Sequence, residues 1–353
     1  MYTNSLEASK AAIYKRLQQN QVNYEVEHLV VLNDYSIDKI IIPSKEYAVN
    51  RLVLSSGLHG IEGYVGQIMI EHFINNILGD LEHTEVIIYH PLNPYGLHND
   101  RRFNESNVDL NRNFSKNGFN NRNKYYEKSL SFFKPKVYKN IVWANVRFYF
   151  SLAAVILRHG INGFKAATLN GQTDLQKGIY YQGTSFAEST LIIQQEIALL
   201  EHDKTPFVWI DIHTGYGHKY QMSIVNSMFE KRARADLISM IDYFNVLSLN
   251  ENEFYLIDGD MIDYIYENTS RKTNIYSTCF EFGTLGNSTF NEIESLKAMI
   301  FENSAYQMNC SKAFENYSHK LIMDLFQPTD NEWLDKAKTD FDRALKGIIK
   351  SML

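Results

Sequence analysis

The chain has only two cysteines, Cys279 and Cys310, among its 353 residues, so a disulfide scaffold is not expected. Such low cysteine usage favours a reducing, cytoplasmic environment. Proline is also scarce, with six residues, whereas tyrosine and phenylalanine number 23 and 21, which argues against long disordered linkers. Because 44% of the residues are hydrophobic, the composition predicts a globular protein with a large core.

Neither a secretory signal nor a membrane span is expected from the sequence. The first residues lack a basic segment followed by an apolar one, and no uninterrupted apolar stretch is long enough to cross a bilayer. The net charge of −6 gives no support for a general nucleic-acid-binding role. We therefore expect a cytoplasmic protein whose partners include neither nucleic acid nor membrane, and the sequence leaves its oligomeric state open.

Apolar runs alternate with amphipathic stretches in a β-α-β order. Residues 51–56 predict a buried strand, a helix follows from Tyr64, and residues 85–90 predict the next strand. Further strands are expected at 24–32, 35–43, 207–212, 220–225 and 275–280. The pattern predicts an α/β fold with a central mixed, mostly parallel, twisted sheet flanked by helices. No repeat or linker divides the chain, so residues 1–353 are expected to form a single domain.

Two candidate metal ligands follow the first strand of the β-α-β unit. His59 and Glu62 form an H-x-x-E pair within a glycine-rich turn, and His59 is the only one of eleven histidines with glutamate three positions later. His213 ends another strand, and the carboxyl ends of neighbouring parallel strands meet at one edge of a sheet, where α/β sites usually lie. Two histidines and one glutamate, with a fourth position for water, are a common catalytic zinc set. The sequence therefore predicts one Zn²⁺ held by His59, Glu62 and His213.

A polar stretch follows the second strand of the same unit. Arg112 and Asn111 are donors suited to a carboxylate, because a guanidinium binds both carboxylate oxygens at once. Arg101 or Arg102 could stabilise the oxyanion that forms when water attacks a carbonyl. Asp109 could hydrogen-bond the free nitrogen of a zinc-bound histidine. The alternative interpretation is a polar surface loop that merely carries arginines.

A third candidate is an acid at the end of an apolar strand. Glu281 lies between Phe280 and Phe282, and a carboxylate in apolar surroundings beside zinc has the position of a general base. The alternative is a strand-end glutamate that points into solvent.

Residues 115–149 differ from the rest of the chain. This segment has eight basic residues, many aromatic ones and a single acid, Glu127. It could bind nucleic acid, but most charge runs are solvated faces, so we favour a packed insertion with solvated charges. A third interpretation is a wall at the entrance of the active site that favours acidic substrates. The insertion is placed at about residues 115–185.

The motifs H-G-x-E-G, N-P-x-G, V-D-L-N-R-N-F, D-x-H and E-F-G-T occur in this order between Gly57 and Thr284. Together they resemble the zinc carboxypeptidase superfamily, which includes the aspartoacylases and succinylglutamate desuccinylases. Residues 162–184 are similar to a little-characterised bacterial branch with a G-Q … G-x-x-Y-x-G segment. The resemblance implies a single α/β domain with a central mixed sheet and one catalytic zinc.

The resemblance also implies roles for individual residues. The zinc ligands would be His59, Glu62 and His213. Asn111 and Arg112 would hold the substrate carboxylate, and Arg102 would stabilise the oxyanion, with Arg101 competing for this role. Glu281 would act as general base and acid, and Asp109 would bind the first histidine ligand. A tyrosine that assists catalysis is also expected, and the sequence leaves four candidates: Tyr255, Tyr264, Tyr266 and Tyr276.

The expected function is a zinc-dependent hydrolase that cleaves an amide bond next to a carboxylate-bearing group, of the carboxypeptidase or peptide amidase type. One alternative is an N-acyl amino acid deacylase of the aspartoacylase or succinylglutamate desuccinylase type, and a second is a non-catalytic zinc-binding protein. The substrate would be a small peptide or an N-acyl amino acid. Serine-hydrolase and nucleotide-binding functions are not expected, because G-x-S-x-G, P-loop and G-x-G-x-x-G motifs are missing.

Overall fold

A computed structural model of the chain describes residues 2–116, 118–119, 122–248, 258–270 and 275–353. In this part of the chain eight strands form one sheet: β1 (Glu25–Leu32), β2 (Tyr35–Ile42), β3 (Asn50–Ser56), β4 (Thr84–His90), β5 (Phe207–Thr214), β6 (Met222–Asn226), β7 (Val246–Ser248) and β8 (Ile275–Phe282). The α-helices there are α1 (Leu6–Gln19), α2 (Gly63–Asn76), α3 (Pro94–His98), α4 (Lys124–Lys128), α5 (Leu130–Phe133), α6 (Ile141–Leu169), α7 (Glu188–Asp203), α8 (Arg234–Ile241), α9 (Met261–Asn268), α10 (Thr289–Gln307), α11 (Lys312–Phe326) and α12 (Asn331–Met352).

The strand order is β1-β2-β4-β3-β5-β8-β6-β7. The central strands β4, β3, β5 and β8 run parallel to one another. The antiparallel pairs are β1–β2, β2–β4 and β6–β8. The predicted α/β fold with a mixed, mostly parallel sheet is thereby confirmed. Because the four central strands are parallel, their carboxyl ends meet at one edge, which is where the candidate residues were expected.

Helices pack on both faces of the sheet. On one face α1, α2, α8 and α12 bury side chains such as Leu17 and Phe341 against the strands. On the other face α7 and α9 bury Ile197 and Ile265 around Trp209. Every residue of β5 is buried, as expected for a central parallel strand covered on both sides. That the whole chain is one domain stays a prediction.

A third apolar cluster lies outside the sheet. It joins α6, α10 and α11 through residues such as Phe148, Phe301 and Phe314, whose rings lie 5.1–5.7 Å apart. The Phe148 ring also packs on Phe132 of α5, with 5.6 Å between the ring centroids. The predicted insertion is therefore largely helical, and it shares its apolar cluster with α10 and α11.

The long helix α6 was not predicted. Its central Gly160 has φ 69° and ψ 174°, so the chain leaves the helical conformation there and then resumes it. By length and composition alone, Ile141–Thr168 could cross a membrane, with a mean hydropathy of 1.4 in its most apolar window. The expectation that no uninterrupted apolar stretch is long enough to cross a bilayer holds for this helix, because Arg147 and Arg158 interrupt its apolar run.

Candidate active site

A tight turn after β3 brings His59 and Glu62 together. Gly57 has φ +71°, and a Cβ atom at this position would lie 2.8 Å from the Cβ of Pro91, so the turn requires glycine. A short 3-10 turn, Gly60–Glu62, then leads directly into α2. The glycine-rich motif thus lets the chain reverse at the sheet edge while holding both candidate ligands there.

The three predicted metal ligands converge at the carboxyl edge of the sheet. Nδ1 of His59 lies 2.9 Å from Oε1 of Glu62, and Nδ1 of His213 lies 3.0 Å from Oε2 of the same carboxylate. The ligand atoms of the three residues all lie within 4.8 Å of one another, and the residues are only 5, 1 and 4% exposed. Sequence separation is 151 residues between Glu62 and His213, so only the fold brings them together.

The opposite ring nitrogens of both histidines face carboxylates. Nε2 of His59 lies 3.1 Å from Oδ1 of Asp109, and Nε2 of His213 lies 2.5 Å from Oδ2 of Asp211. At His213, a carboxylate that accepts Nε2–H leaves the Nδ1 lone pair for a metal and fixes the ring orientation. At His59, the Arg102 guanidinium also approaches Nε2, at 2.7 Å. Asp211 was not predicted in this role. Its signal was the D-x-H spacing, because residues two apart on a strand share a face.

Charges inside the cluster are strongly coupled. Burial opposes ionisation of Glu62 and Asp109, but the cationic groups around them outweigh it, and the pKa of each carboxyl falls well below its ordinary value. For Glu62 these groups are His59 and His213, and for Asp109 they begin with Arg102. Burial also opposes protonation of His213, but Asp211 and Glu62 raise its pKa well above the usual range. A metal at Nδ1 must displace that proton, so acid should weaken metal binding.

The two candidate oxyanion arginines lie in different places. Arg102 lines the cavity, and its Nε donates to Oδ2 of Asp109 at 3.1 Å. Arg101 instead donates from Nε to Glu302 at 2.6 Å, and its guanidinium stacks on the ring of Tyr306 at 3.5 Å. A substrate-binding role for Arg101 is therefore not supported, because its charge is neutralised and buried away from the cavity.

Glu281 lies beside the metal-ligand cluster. In the parallel register of β5 and β8 it is the direct partner of His213, and its Oε1 accepts a hydrogen bond from the backbone N–H of Tyr216 at 2.9 Å. Burial, followed by the nearby charge of Glu62, raises the pKa of Glu281 to about 8. Cys279 points to the same side of β8, and with His213 and Glu281 it forms a second group of closely spaced ligand atoms.

Asn111 and Arg112 lie in a short 3-10 turn and both line the cavity. The Asn111 amide donates to Oδ2 of Asp260 at 2.9 Å and accepts from the backbone N–H of Met261 at 3.0 Å. Asn111 thus ties its turn to the start of α9. Arg112 faces the ring of Tyr180 at 5.8 Å, and burial lowers the pKa of its guanidinium.

Of the predicted site residues, Arg101 and Asp109 do not line the cavity, whose volume is about 250 Å³. Those that do are His59, Glu62, Arg102, Asn111, Arg112, His213 and Glu281. Part of the cavity wall comes from α6, which contributes Phe164, Lys165 and Thr168. Of the three interpretations of the basic insertion, this favours the wall of the active site, although the contributing residues lie beyond the basic run itself. No sequence signal singled out these three side chains.

The four candidate tyrosines do not account for the aromatic side chains at the site. The hydroxyls of Tyr266 and Tyr276 bond Glu230 at 2.6 Å and Asn226 at 2.8 Å, and Tyr264 does not line the cavity. Tyr255 lies outside the described residues. In the part of the chain that the structure describes, the tyrosines that line the cavity are Tyr180 and Tyr216.

Residues 10–340 match the model of a family described as "Protein of unknown function (DUF2817)". The chain belongs to this family. No curated protein matches its sequence. The match covers every candidate site residue of this DUF2817 member, from His59 to Glu281.

Several solved structures are similar to this DUF2817 chain. Thrombin-activatable fibrinolysis inhibitor (TAFI) is 17% identical, with a TM-score of 0.51, over 93% of this chain and 75% of that chain. Carboxypeptidase A from Helicoverpa armigera is 14% identical, with a TM-score of 0.49, over 97 and 74%. Bovine TAFI in complex with a tick carboxypeptidase inhibitor is 15% identical, with a TM-score of 0.49, over 91 and 98%. The likeness to TAFI is a likeness of fold, and it agrees with the α/β fold that the sequence resemblance implies.

The donor set of this DUF2817 member fits zinc. Two imidazole nitrogens and one carboxylate are typical zinc donors, and three protein ligands leave a coordination position for water or substrate. Both histidines have the outer carboxylates that orient zinc ligands, and the cluster opens to a cavity. A structural zinc site would instead use four protein ligands.

Proposed function

We propose that the protein is a zinc-dependent hydrolase that cleaves an amide bond next to a carboxylate-bearing group, of the carboxypeptidase or peptide amidase type. The observation that carries this proposal is the placement of Glu281 directly beside His213 in the β5–β8 register, at the same cavity end as His59 and Glu62. A binding site needs no such carboxylate next to its metal ligands. A hydrolase needs one to handle the proton of the attacking water.

Zinc held by the three ligands would supply a Lewis acid for the scissile carbonyl and favour deprotonation of water near neutral pH. Glu281 takes the proton from the attacking water and returns it to the leaving amine. Its raised pKa suits a group that must both accept and donate a proton near neutral pH. The backbone N–H of Tyr216 fixes one oxygen of the Glu281 carboxylate and so orients it.

Arg102 and Arg112 supply the two positive charges that the reaction requires. Arg102 is anchored to Asp109 beside the histidines, so its guanidinium is placed to stabilise the oxyanion. Arg112 also lines the cavity and binds the substrate carboxylate, which selects the amide that reaches Glu281. Asn111 acts mainly by positioning, since both ends of its amide are bonded to the start of α9.

The second candidate function is deacylation of an N-acyl amino acid. The cavity volume of about 250 Å³ favours a small substrate, because it lies at the lower limit of ligand pockets. Both substrate classes carry a carboxylate, so Arg112 does not distinguish them. A zinc-binding protein without catalysis is less well supported, since the candidate base is present. The cytoplasmic location and the lack of a nucleic-acid partner stay predictions.

The deciding experiment measures amine release by the zinc-loaded protein on C-terminal peptides, γ-glutamyl peptides and N-acyl amino acids. We expect one class to be hydrolysed and the activity to disappear in Glu281→Gln while zinc content is unchanged. The matched control is Glu292→Gln, which removes the charge of another carboxylate lining the same cavity. If Glu281→Gln keeps parental turnover with zinc bound, the role given to Glu281 is wrong. If the zinc-loaded parent hydrolyses nothing, the binding-protein alternative gains.

A further inference from the structure

An exposed apolar stripe runs along α6. Trp143, Phe150 and Leu157 are 71, 75 and 88% exposed, and they recur every seven residues along one side of the helix. Other exposed apolar residues lie beside them. We call this surface the outer face of α6, and it consists of Val142, Trp143, Val146, Phe150, Ala153, Leu157 and Ile161. An exposed surface of this kind marks an interaction site, because isolated apolar side chains are common on surfaces but contiguous apolar faces are not.

The opposite side of α6 is fastened to the protein. Ala144, Phe148, Leu152 and Val155 are buried in the cluster shared with α10 and α11. Only 22% of the most apolar window of the helix is buried, so α6 is not a core helix. A helix packed along its length on one side cannot also be surrounded by lipid as a membrane span is. It can, however, lie on a surface with its other side buried there.

The charge around the outer face has a single sign. Residues 128–173 contain seven lysines and arginines and no aspartate or glutamate, in a chain whose net charge is −6. Lys134, Lys139, Arg147 and Arg158 of this segment are exposed. On the neighbouring α10, Glu294 contacts α6 through the Tyr149 hydroxyl, and its charge is paired with Lys297. The apolar face is therefore bordered by cations whose counter-charges do not come from its own helix.

Charge complementarity distinguishes two possible occupants of this face. The spacing of Trp143, Val146, Phe150 and Leu157 matches the seam of a coiled coil, which a second copy of the chain could complete. Coiled-coil partners, however, pair opposite charges beside the seam, and α6 would bring only cations, Arg147, Arg158 and Lys165, from both copies. Anionic lipid headgroups supply the missing negative charge, and the acyl boundary takes up the apolar side chains.

We propose that the outer face of α6 docks the protein on an anionic lipid surface, with the helix axis in the plane of the interface. This departs from the sequence-based expectation that no membrane partner exists, which rested on the absence of a spanning segment. Docking also has a consequence for the catalytic cavity. Beyond Gly160 the same helix continues to Phe164 and Thr168, which line the cavity, so a docked molecule holds its cavity close to the lipid surface.

The three tryptophans make the first test selective. Trp209 and Trp333 are 0 and 1% exposed, so a change in tryptophan emission on adding lipid reports on Trp143. We expect a blue shift and co-sedimentation with vesicles of phosphatidylcholine mixed with phosphatidylglycerol. With vesicles of phosphatidylcholine alone, or at high salt, both signals should weaken strongly, because the headgroup contribution is electrostatic. No shift and no co-sedimentation with either vesicle would overturn the proposal.

Two variants test the face itself. Phe150→Ser with Leu157→Ser should abolish vesicle binding, whereas Val30→Ser with Tyr47→Ser, which alters exposed apolar residues elsewhere, should leave it unchanged. Should the first variant fail to fold, Arg147→Gln with Arg158→Gln serves instead. It should weaken binding by about 30-fold, from roughly 1 kcal/mol per charge.

Unchanged vesicle binding by either of these two variants of α6, when folded, rules the face out. A lipid-free dimer that the Phe150→Ser, Leu157→Ser variant dissociates would make a second copy the occupant and overturn the proposal.

Discussion

Two parts of the cavity differ in the side chains that line them. We call the strand-end side the floor, and the part of the wall that comes from α6 the roof. On the floor, the ends of β3, β5 and β8 carry buried charges that are bonded on several sides. Glu62, for example, faces both histidines and also accepts the backbone N–H of Thr214 at 3.0 Å. The roof comes from α6, which contributes Phe164, Lys165 and Thr168. The difference teaches that the sheet places the charged groups of the proposed chemistry, whereas the insertion contributes the side chains that a substrate would pass.

The largest effect is expected on zinc affinity, from a substitution of Glu62 in the floor. Glu62→Gln removes the carboxylate that both histidine Nδ1 atoms face, so we expect zinc affinity to fall by more than about 100-fold, beyond the effect of losing an outer partner. Hydrolysis should be lost with the metal. Thr168→Val in the roof should leave zinc affinity unchanged. Zinc titration against a competing chelator measures both, and a Glu62→Gln protein with parental zinc affinity would remove Glu62 from the ligand set.

A smaller effect is expected from the two carboxylates that contact the histidines, Asp109 beside His59 and Asp211 beside His213. Asp109→Asn and Asp211→Asn each remove a carboxylate that orients one histidine, and we expect each to lower zinc affinity by about 10–100-fold. Asp109 also anchors Arg102, whereas Asp211 is bonded to the Ser55 hydroxyl at 2.6 Å. With zinc saturating, Asp109→Asn should therefore still lower kcat, while Asp211→Asn should recover most of it.

The readout of this comparison is kcat at several zinc concentrations, together with zinc affinity. Equal recovery of kcat in both variants would mean that Arg102 does not depend on Asp109 for its position. Ser55→Ala is the control at the outer end of this hydrogen-bond chain, and it should have the smallest effect of the three on kcat. Because Ser55 also accepts the indole N–H of Trp209 at 2.8 Å, the stability of this variant is measured alongside.

Changes in the roof should alter substrate preference without altering metal binding. Phe164→Ala enlarges the cavity on its α6 side, so KM for the preferred substrate should rise by about tenfold, corresponding to the loss of one apolar contact of roughly 1–2 kcal/mol. Longer substrates should lose less, or gain. Kinetic constants over a series of substrate lengths measure this, and zinc affinity is the control. A Phe164→Ala enzyme with an unchanged substrate ranking would show that α6 encloses the cavity without selecting its contents.

The same contrast explains what could be predicted from sequence. Most strand positions and the approximate placement of His59, Glu62, His213 and Glu281 follow from local signals, because a strand end followed by glycine and polar residues marks the edge of an α/β sheet. Asp211 was missed although its D-x-H spacing was visible. The separation of Arg101 from Arg102 depends on long-range contacts, such as the one between Arg101 and Glu302, which neighbouring residues in the sequence do not reveal.

The roof was not predicted for a different reason. Residues 141–169 are apolar on both sides of the helix, since one side packs on α10 and α11 and the other is the exposed outer face. An amphipathic period is the main signal of a surface helix, and here it is blurred. A polar exposed face would have given α6 a clear amphipathic period. Its apolar exposed face is therefore the reason why α6 was not predicted, and it is also the basis of the proposed lipid contact.

The last expected effect is on stability, and it concerns a carboxyl at the side of the floor whose pKa shift is opposite to that of Asp109. Burial, and then the charge of Asp260, raise the pKa of Asp263 to about 7. The folded state thus binds this proton more tightly than the unfolded chain, whose aspartates titrate near pH 3.9. The stability that the folded protein gains by binding this proton is present in full below about pH 3.9. It is lost as the pH rises towards 7.

Asp263→Asn should remove the part of the pH-dependent loss of stability that comes from Asp263. An asparagine oxygen can still accept the hydrogen bonds that the Ser227 hydroxyl and the backbone N–H of Met228 donate to Asp263, at 2.5 and 3.1 Å, but the amide cannot ionise. We expect the stability of the variant relative to the parent to rise by roughly 2–3 kcal/mol between pH 5 and pH 8. Urea midpoints at the two pH values measure the difference. Parallel pH dependences in the two proteins would mean that Asp263 stays ionised, and that the floor tolerates a buried carboxylate that lies next to another acid.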